Sequence, residues 1–263
     1  MTVGEVLAGG GPDARLLLAA ASGYSQASLI AHPERELPAE VLARFLENAA
    51  RRRDGEPVAY ILGRREFYGI DLAVTPAVLI PRHETELLVE RALALQPATV
   101  LDLGTGSGAV AIAIKRHHPR ARVVAADTSA AALAVARRNA VKLSVDIDLR
   151  HGRWFDPVVG ERFELIVSNP PYVAEGDTHL AAGDLRYEPR GALVSGADGL
   201  DAIRAIIAGA ASHLVPGGWL LLEHGMGQDG AVRELMQAAG LQGVTTWPDL
   251  SGIARATAAR VQS

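Results

Sequence analysis

The chain has 263 residues, of which 49% are hydrophobic and 21% are charged, and its formal net charge is −4. Length and composition fit one large folded domain, or a standard domain with a small one beside it. The net negative charge argues against strong nonspecific binding to nucleic acid, because such binding requires a positively charged surface. The absence of cysteine excludes disulfides, thiolate metal sites and cysteine nucleophiles.

The start of the chain carries no sign of a targeting segment. Met1 to Gly10 lacks the basic residues and apolar run of a secretion signal. No apolar run in the sequence approaches the ~20 residues that a bilayer-spanning helix needs. We therefore expect a cytoplasmic protein that does not associate with a membrane.

The first part of the chain is predicted to be helical. Ala14 to Ala21 is rich in Ala and Leu, and Glu40 to Arg52 carries apolar residues at the spacing of one helical face. We predict a small helical domain over residues 1–66. Residues 67–82 are predicted to form a β-hairpin linker, because short apolar runs there, including Val78 to Ile80, have the pattern of strands.

From residue 83 to residue 263, strand and helix patterns alternate. The clearest strand patterns are Val100 to Leu103, Val123 to Ala126, Phe163 to Val167 and Trp219 to Leu222. Alternating βα units favour a mostly parallel sheet that is covered by helices on both faces. The predicted class of this third region is therefore α/β.

A glycine-rich loop follows the first of these strands. Its residues are Asp102, Leu103, Gly104, Thr105, Gly106, Ser107 and Gly108. Three glycines at alternate positions allow a tight turn and a close approach of the backbone to a ligand at the carboxyl edge of the sheet. Asp127 ends the next strand and can accept hydrogen bonds from both ribose hydroxyls of an adenosine. The pattern indicates a nucleoside-cofactor site, although the glycines could instead make only a turn and Asp127 only cap a helix.

The spacing of the loop favours S-adenosylmethionine over a dinucleotide. A dinucleotide loop usually reads G-x-G-x-x-G, with the pyrophosphate at the helix N-terminus. Here the spacing is G-x-G-x-G and an acidic residue, Asp102, precedes it. An anionic Asp102 suits the ammonium group of a methionine moiety and sits poorly beside a pyrophosphate. A nicotinamide oxidoreductase is therefore disfavoured, though the loop alone leaves it open.

A second motif follows the third strand and consists of Asn169, Pro170, Pro171 and Tyr172. The two prolines fix the backbone and remove two N–H donors, which leaves carbonyl oxygens and the Asn169 side-chain oxygen as acceptors. Acceptors aimed at both hydrogens of a planar –NH₂ group would hold its nitrogen facing a sulfonium methyl group, and Tyr172 would form a flat wall. This is catalysis by positioning and electrostatic stabilisation. The alternative interpretation is a rigid Asn-Pro turn.

Together the two motifs resemble methyltransferases that act on amino groups of nucleic-acid bases or on protein glutamine. Further segments narrow the resemblance to the release-factor glutamine methyltransferases, the PrmC or HemK family. These segments are Glu56 to Ile61, Glu66 to Gly69, Leu79 to Glu86, Tyr187 to Leu200, and Asp249 to Gly252, together with Glu223 and Gln228. The resemblance runs from about Glu56 to near the C-terminus. One departure is His83, which stands where the family usually has proline.

The resemblance implies a seven-stranded, Rossmann-like class I methyltransferase sheet behind the helical domain. It implies methyl transfer from S-adenosylmethionine, with S-adenosylhomocysteine as product, to the glutamine of the Gly-Gly-Gln motif in class I peptide chain release factors. It places residues 104–108 and Asp127 at the cofactor, Trp154 near the adenine, and residues 169–172 at the substrate amide. We also expect the helical domain to dock the protein substrate, and the enzyme to be a monomer.

Three alternatives stay open at this level. The acceptor could be a ribosomal-protein glutamine or a nucleic-acid base, although base chemistry requires flipping of the target and the net charge is acidic. The protein could be a nicotinamide oxidoreductase, or a noncatalytic adenosine-binding module. The eight histidines show no metal-ligand spacing, so no metal site is predicted.

Overall fold

A computed structural model describes residues 1–181 and 183–262. The chain divides into two compact units. The helical unit comprises Met1–Arg64 together with Ala181–Tyr187, and the sheet unit comprises Arg65–Leu180 together with Glu188–Ser263. The second segment of the helical unit lies far from the first in sequence and was not part of the predicted helical domain.

Among its described residues, five α-helices form most of the helical unit: α1 (Val3–Gly9), α2 (Ala14–Ser22), α3 (Gln26–Ala31), α4 (Ala39–Arg53) and α5 (Val58–Leu62). Local signals in the sequence explain two of their ends. Thr2 and Glu5 form a capping box at the start of α1, and Gly23 ends α2 in the left-handed conformation. The apolar faces of these helices share a buried core. The prediction that the N-terminal part of the chain is helical is therefore confirmed.

The distant segment is tied to the end of α4 by polar contacts within the helical unit. Asp184 pairs with Arg52 at 3.1 Å between carboxylate and guanidinium, and the Tyr187 hydroxyl donates to the carbonyl oxygen of Asp54 at 2.7 Å. Two 3₁₀ turns lie in this region, Thr178–Ala181 and Gly183–Tyr187. Contacts of this kind join residues about 130 positions apart, so no local sequence pattern reports them.

A hairpin of β1 (Arg64–Phe67) and β2 (Ile70–Ala73) follows the first part of the helical unit. Its two turn residues, Tyr68 and Gly69, both have positive φ angles, of 50° and 72°. Such angles at both positions are typical of the type I′ turn, whose twist matches that of paired strands. No strand is formed at Val78 to Ile80, where one was expected: this largely buried run lies in an irregular segment before a 3₁₀ turn at His83–Thr85.

The sheet unit is built around seven strands. They are β3 (Thr99–Leu103), β4 (Arg122–Asp127), β5 (Asp148–His151), β6 (Phe163–Ser168), β7 (Leu214–Glu223), β8 (Gln242–Pro248) and β9 (Ala254–Arg260). Their order across the sheet is β5-β4-β3-β6-β7-β9-β8. The first five are parallel, whereas β9 runs antiparallel to both of its neighbours. The predicted seven-stranded, mostly parallel α/β sheet is therefore confirmed.

The described part of this unit contains five α-helices: α6 (Glu86–Leu95), α7 (Ala109–His117), α8 (Ala130–Lys142), α9 (Asp201–His213) and α10 (Asp229–Ala238). Shorter 3₁₀ turns lie at Asp156–Val158 and Arg190–Ala192. Successive residues of a strand face opposite sides of a sheet. Accordingly, Val100 packs in a core with α6 and α7, whereas Leu101 packs in a second core with α9 and α10. Both faces of the sheet are thus covered, as predicted.

The strand order places a crevice at the centre of the carboxyl edge. After β3 the chain moves outward through β4 and β5, and it then returns to β6 on the other side of β3. Connections that leave in opposite directions open a space beyond the ends of the two adjacent strands, which is where open α/β sheets bind ligands. In the described part of the chain, no helix has the length and apolar character needed to cross a membrane.

Candidate active site

The two predicted motifs meet at this crevice because their strands are neighbours. Leu103 at the end of β3 is level with Ser168 at the end of β6. The glycine loop and the segment that starts at Asn169 therefore leave the sheet side by side. Asp127 ends β4 on the other side of β3, one residue beyond the position level with Leu103. The hydroxyl of Ser168 donates to the carbonyl oxygen of Leu103 at 2.6 Å and ties the two strand ends together.

The glycine loop uses backbone angles that other residues rarely adopt. Gly104, Gly106 and Gly108 have φ angles of 72°, 56° and 82°, all in the left-handed region that favours glycine. The backbone N–H groups of Gly104 and Thr105 both donate to the carbonyl oxygen of Ala126, at 2.9 and 3.0 Å. The loop is therefore folded back over the end of β4, and its small residues leave space above it.

A cavity of about 400 Å³ lies above this loop, a volume within the range of small-molecule sites. Six residues named from the sequence line it: Gly104, Gly106, Asp127, Trp154, Asn169 and Pro171. The rest of the wall is formed by residues 77–79, by Pro189, Gly191 and Ala192, and by residues near Asp127 and Trp154. The other predicted site residues, namely Asp102, Thr105, Ser107, Gly108, Pro170 and Tyr172, do not line this cavity.

Asp127 both shapes the loop and faces the cavity. One carboxylate oxygen accepts from the Gly106 N–H at 2.9 Å, and the other accepts from the Ser129 N–H at 2.8 Å. Each oxygen keeps a further lone pair with which it can accept a hydroxyl hydrogen. The N-cap of α8 is Ser129, whose hydroxyl accepts from the Ala132 N–H. Helix capping is thus performed by a neighbour, which leaves the carboxylate of Asp127 available to a ligand.

Trp154 forms another wall and has two unusual properties. Its φ angle is 46°, which is rare for a bulky residue. Its ring lies beside Gly104, where an added Cβ would be in ordinary contact with Cζ3 at 3.9 Å. Its indole nitrogen is buried and has no hydrogen-bond partner among the described residues. An indole N–H is a donor, and buried donors are normally satisfied. Because this nitrogen is buried, its N–H is not accessible from the cavity. The acceptor Asp127, the Trp154 side chain and the apolar walls together fit an adenosine-bearing group.

Asp102 lies beneath the loop, away from the cavity surface. It is buried, and it accepts hydrogen bonds from the Thr105 hydroxyl at 2.7 Å and from the backbone of Ala111. Burial, only partly offset by these hydrogen bonds, raises the pKa of Asp102 to about 7. Its direct effect is to hold the loop against the start of α7. The predicted interaction with an ammonium group stays a prediction.

One residue that supports the loop was not singled out from the sequence. Asn139, fully buried on α8, donates from Nδ2 to the carbonyl oxygens of Ser107 and Ala73, at 2.9 and 3.0 Å. Its Oδ1 accepts from the Ala73 N–H at 2.7 Å. The side chain therefore joins the glycine loop to β2. Its sequence context is an ordinary helical pattern, and only its partners reveal this role.

The Asn-Pro-Pro-Tyr segment is held by side chains from two other elements. Nδ2 of Asn169 donates to the Thr85 hydroxyl at 3.0 Å, and no group among the described residues donates a hydrogen bond to its Oδ1. The Tyr172 hydroxyl donates to the Glu223 carboxylate at 3.2 Å, and the carbonyl oxygen of Tyr172 accepts from Gln228 at 3.0 Å. Burial, followed by the nearby charge of Glu223, raises the pKa of Tyr172 above its usual range. The sequence did not predict the contact with Thr85.

A second buried carboxylate joins two of the cavity walls. Glu188 accepts hydrogen bonds from the Ile80 N–H, at 3.1 Å, and from the guanidinium of Arg82. The carboxylate side chain is completely buried. It thereby fixes the segment that carries residues 77–79 to the segment that carries residues 189–192. Glu188 and Arg82 both belong to segments that were quoted for the family resemblance. The resemblance gave neither residue a role.

Within the described part of the chain, one group of side chains brings three potential metal ligands together. Ligand atoms of Glu66, His83 and Glu86 lie within 4.8 Å of one another on the surface, and none of the three residues lines the cavity. Exposed acidic groups commonly cluster in this way without an ion. His83 also hydrogen-bonds to Glu86 at 3.2 Å, so the residue that departs from the family pattern has a local partner.

Comparison with known proteins gives matches along nearly the whole chain. The family model described as the PrmC N-terminal domain matches residues 10–63, and the methyltransferase small domain matches residues 83–187. The release factor glutamine methyltransferase of Xylella fastidiosa (strain Temecula1) is 51% identical over 253 residues, which cover 94% of this chain and 92% of that protein. The protein of the same name from Pseudomonas aeruginosa is 52% identical over 249 residues, with coverages of 93% and 90%.

Solved structures show a similar fold. A methyltransferase from Pyrococcus furiosus has a TM-score of 0.56 and 19% identity, and the match covers 82% of this chain and 99% of that one. The 16S rRNA N2 G1207 methyltransferase of T. thermophilus, solved in complex with AdoMet and guanosine, has a TM-score of 0.56 and 20% identity, with coverages of 76% and 50%. At such identities the likeness concerns the fold alone.

Proposed function

Because the chain belongs to the release factor glutamine methyltransferase family, we propose that it methylates a glutamine side chain of peptide chain release factors. The methyl donor is S-adenosylmethionine, and the acceptor is the side-chain amide nitrogen of the glutamine in the Gly-Gly-Gln motif. The products are N5-methylglutamine, S-adenosylhomocysteine and the proton that the amide nitrogen loses. The proposed enzyme works as a monomer in the cytoplasm and requires no metal ion.

The cofactor half of the proposal rests on the cavity above the glycine loop. When bound, S-adenosylmethionine supplies a methyl group on a positively charged sulfur. Asp127 would accept hydrogen bonds from the ribose hydroxyls, and the Trp154 side chain would lie beside the base. The residues of the loop, Gly104 and Gly106 in particular, leave space for the methionine part. Asp102 holds the loop in place from below.

The substrate half rests on the orientation of Asn169, which is the observation that carries the proposal. Thr85 engages the –NH₂ group of Asn169, so the free Oδ1 can accept a hydrogen from the substrate amide. The carbonyl oxygens that precede Pro170 and Pro171 provide further acceptors on a rigid backbone. Together they hold the planar –NH₂ group with its nitrogen toward the cofactor. The same acceptors stabilise the positive charge that develops on that nitrogen during transfer.

Mass spectrometry of a recombinant release factor, incubated with this protein and S-adenosylmethionine, tests the proposal. We expect a gain of one methyl group, about 14 Da, on the glutamine of the Gly-Gly-Gln motif, because positioning alone suffices for this transfer. A release factor in which that glutamine is replaced is the substrate control and should gain nothing. An Asn169→Asp enzyme, which loses the donor to Thr85, should bind the cofactor but turn over roughly a hundredfold more slowly.

Other outcomes discriminate among the remaining hypotheses. Cofactor binding without methylation of any release factor contradicts the substrate assignment and points to ribosomal-protein glutamine or nucleic acid as acceptors. Tight NADH binding without S-adenosylmethionine binding contradicts the methyltransferase proposal itself. Full activity of the Asn169→Asp enzyme contradicts the requirement for an Asn169 amide that Thr85 holds in one orientation, whatever the substrate is.

A further inference from the structure

The side chain of Gln228, the residue just before α10, joins three segments of the sheet unit. Its Oε1 accepts from the Gly225 N–H at 2.8 Å. Its Nε2 donates to the carbonyl oxygen of Tyr172 at 3.0 Å, and a longer bond of 3.4 Å reaches that of Asp198. The first contact is local, whereas the other two cross 56 and 30 positions of the chain. Both ends of the amide are therefore engaged, each by backbone groups.

Two glycines allow this amide to lie directly against Tyr172. An added Cβ at Gly199 would lie 2.3 Å from the Tyr172 carbonyl oxygen and 2.9 Å from the Gln228 Nε2. At Gly225 it would lie 2.9 Å from the Gln228 Oε1 and 3.3 Å from Cδ2 of the Tyr172 ring. Only residues without a Cβ permit so close an approach. The carbonyl of Tyr172 is thus enclosed between Gly199 and the Gln228 amide.

The Tyr172 carbonyl is the far end of the segment that carries the proposed acceptors. At the near end, β6 ends one residue before Asn169. The proline rings restrict φ at positions 170 and 171 but leave ψ as a soft angle. Rotation about ψ turns the carbonyl group of the same residue, so the direction of the acceptors depends on how the far end is held. The hydrogen bond from Gln228 holds that end.

We infer that Gln228 is a positioning residue for methyl transfer, which acts through the Tyr172 carbonyl to keep the acceptors of the Asn-Pro-Pro-Tyr segment directed at the substrate amide. This inference rests on the proposed function and deepens it. Gln228 does not line the cofactor cavity, so its effect belongs to the transfer step and not to the binding of S-adenosylmethionine. A primary amide suits this place because it offers an acceptor to Gly225 and a donor to Tyr172.

The variant Gln228→Glu tests the inference, because it keeps the size of the side chain and the acceptor for Gly225 but loses the donor to Tyr172. We expect kcat at about pH 8 to fall roughly tenfold, with the affinity for S-adenosylmethionine and the KM for release factor each within about twofold of the native values. A carboxylate at the start of α10 suits the helix dipole. Thermal stability should therefore change little, which separates lost positioning from lost folding.

Two further variants complete this test. Gln228→Met keeps the length of the side chain but removes both hydrogen bonds, and it should lower kcat about as much as Gln228→Glu does at the same pH. It also keeps the inference testable if Gln228→Glu fails to fold. Gln237→Glu is the matched control, since Gln237 is exposed near the other end of α10, and its kcat should be native.

The pH dependence of the two Gln228 variants distinguishes positioning from a merely structural role. Once protonated, the new carboxyl group can donate its O–H to Tyr172 while its other oxygen still accepts from Gly225. Glutamate has an ordinary pKa of about 4.3, and partial burial beside two carbonyl oxygens favours the protonated form. The ratio of variant to native kcat should therefore rise about twofold or more from about pH 8 to about pH 5.5 in Gln228→Glu and stay constant in Gln228→Met.

Other groups near Gln228 titrate or carry charge. They are Tyr172, Asp198 with its partner Arg204, Glu223, His224 and Asp229. These groups are present in the native protein and in both variants, so their own titration cancels when the variant is compared with the native enzyme at each pH.

A native kcat in Gln228→Met, or a ratio that stays constant with pH in Gln228→Glu, would overturn the inference. A large loss of cofactor affinity in either folded variant would also contradict it, because Gln228 would then support the cavity and not the acceptors. Absence of methylation by the native protein would instead defeat the proposed function, so the two failures are distinguishable.

Discussion

At the scale of single residues, burial changes the chemistry of two carboxylates on which the site depends. Asp102 was expected to be anionic beside an ammonium group, yet its position beneath the loop raises its pKa to about 7 from an ordinary value of 3.8. Glu223 has a pKa raised to a similar value for the same reason. Near neutral pH each of these groups is therefore partly protonated, and a bound cation or a nearby donor can shift that balance.

The raised pKa of Asp102 predicts a dependence of stability on pH with a defined sign. Between about pH 4 and pH 7 the folded protein keeps a proton on Asp102 that the unfolded chain has released. This contribution to the free energy of unfolding therefore falls as pH rises through that window. Asp102→Asn cannot titrate, so its stability relative to the native protein should increase from pH 4 to pH 7, by at most about 4 kcal/mol.

Urea denaturation of the native protein and Asp102→Asn at several pH values measures this difference. Asp198→Asn is the control, because pairing with Arg204 lowers the pKa of the exposed Asp198 to about 2. That carboxylate is ionised throughout the window, and its variant should keep a constant difference from the native protein. A constant difference for Asp102→Asn as well would show that the buried carboxylate does not titrate as described.

At the scale of elements, two glycines in the connection between β3 and α7 meet different requirements, one for close packing and one for space at the cavity. Gly108 is the N-cap of α7, where an added Cβ would lie 3.0 Å from Ile112 and 3.2 Å from Ala136. Gly106 has nothing within 4 Å of that position and lines the cavity. Both have positive φ, but only one is packed against the core. The two glycines therefore have different roles: Gly108 permits close packing against the core, and Gly106 leaves space in the cavity.

Two alanine variants should separate the packing role of Gly108 from the cavity role of Gly106. Gly108→Ala combines backbone strain with a tight contact and should lower the free energy of unfolding by roughly 2 kcal/mol or more. Gly106→Ala carries the strain alone, roughly 1 kcal/mol, but its methyl group points into open space at the cavity and should weaken cofactor binding severalfold. Thermal unfolding and calorimetric titration with S-adenosylmethionine measure the two effects. Equal losses of stability in both variants would contradict this division.

At the scale of the whole molecule, the helical unit offers a surface on which a protein substrate can dock. A groove of about 590 Å³ in this unit is lined by Phe45, Leu46, Ala49 and Arg53 among others. Leu46 is a large apolar residue that is 53% exposed. The sheet unit contains the candidate residues for cofactor and amide, so we propose that the helical unit recognises the release factor. This is the docking role that the sequence analysis expected for it.

Substitution of Leu46 by glutamate tests this docking role. The charge should raise the KM for release factor about tenfold, as loss of an apolar anchor does at protein interfaces, and it should leave kcat and cofactor affinity close to native. Val141→Glu is the control, because Val141 is 74% exposed on α8 of the sheet unit. An unchanged KM in Leu46→Glu would exclude this groove as the docking surface, and a fall in kcat alone would indicate an effect on the site.

Local patterns in the sequence were sufficient to predict the helical start, the alternating βα units and both motifs at the carboxyl edge. The physical reason is that strand alternation, helical periodicity and the angles of glycine and proline are properties of a few neighbouring residues. Asp127, Asn169 and the glycines carry such signals, so they could be named in advance. The irregular run at Val78 to Ile80 could not be distinguished from a strand by its sequence. Buried residues are apolar in either case, so a short apolar run has the same pattern in a strand and in an irregular buried segment.

Only the tertiary structure revealed the residues that act on the site from elsewhere in the chain. Thr85, Asn139 and Glu188 contact the site through partners 32 to 108 positions away. The segments around Thr85 and Glu188 were quoted for the family resemblance without a role for either residue, and Asn139 lies in an ordinary helical pattern. The assignment of residues 181–187 to the helical unit and the burial of Glu223 likewise depend on how distant segments pack. Hydrogen bonds and desolvation arise between groups that the fold brings together, so they exist only once the chain has folded.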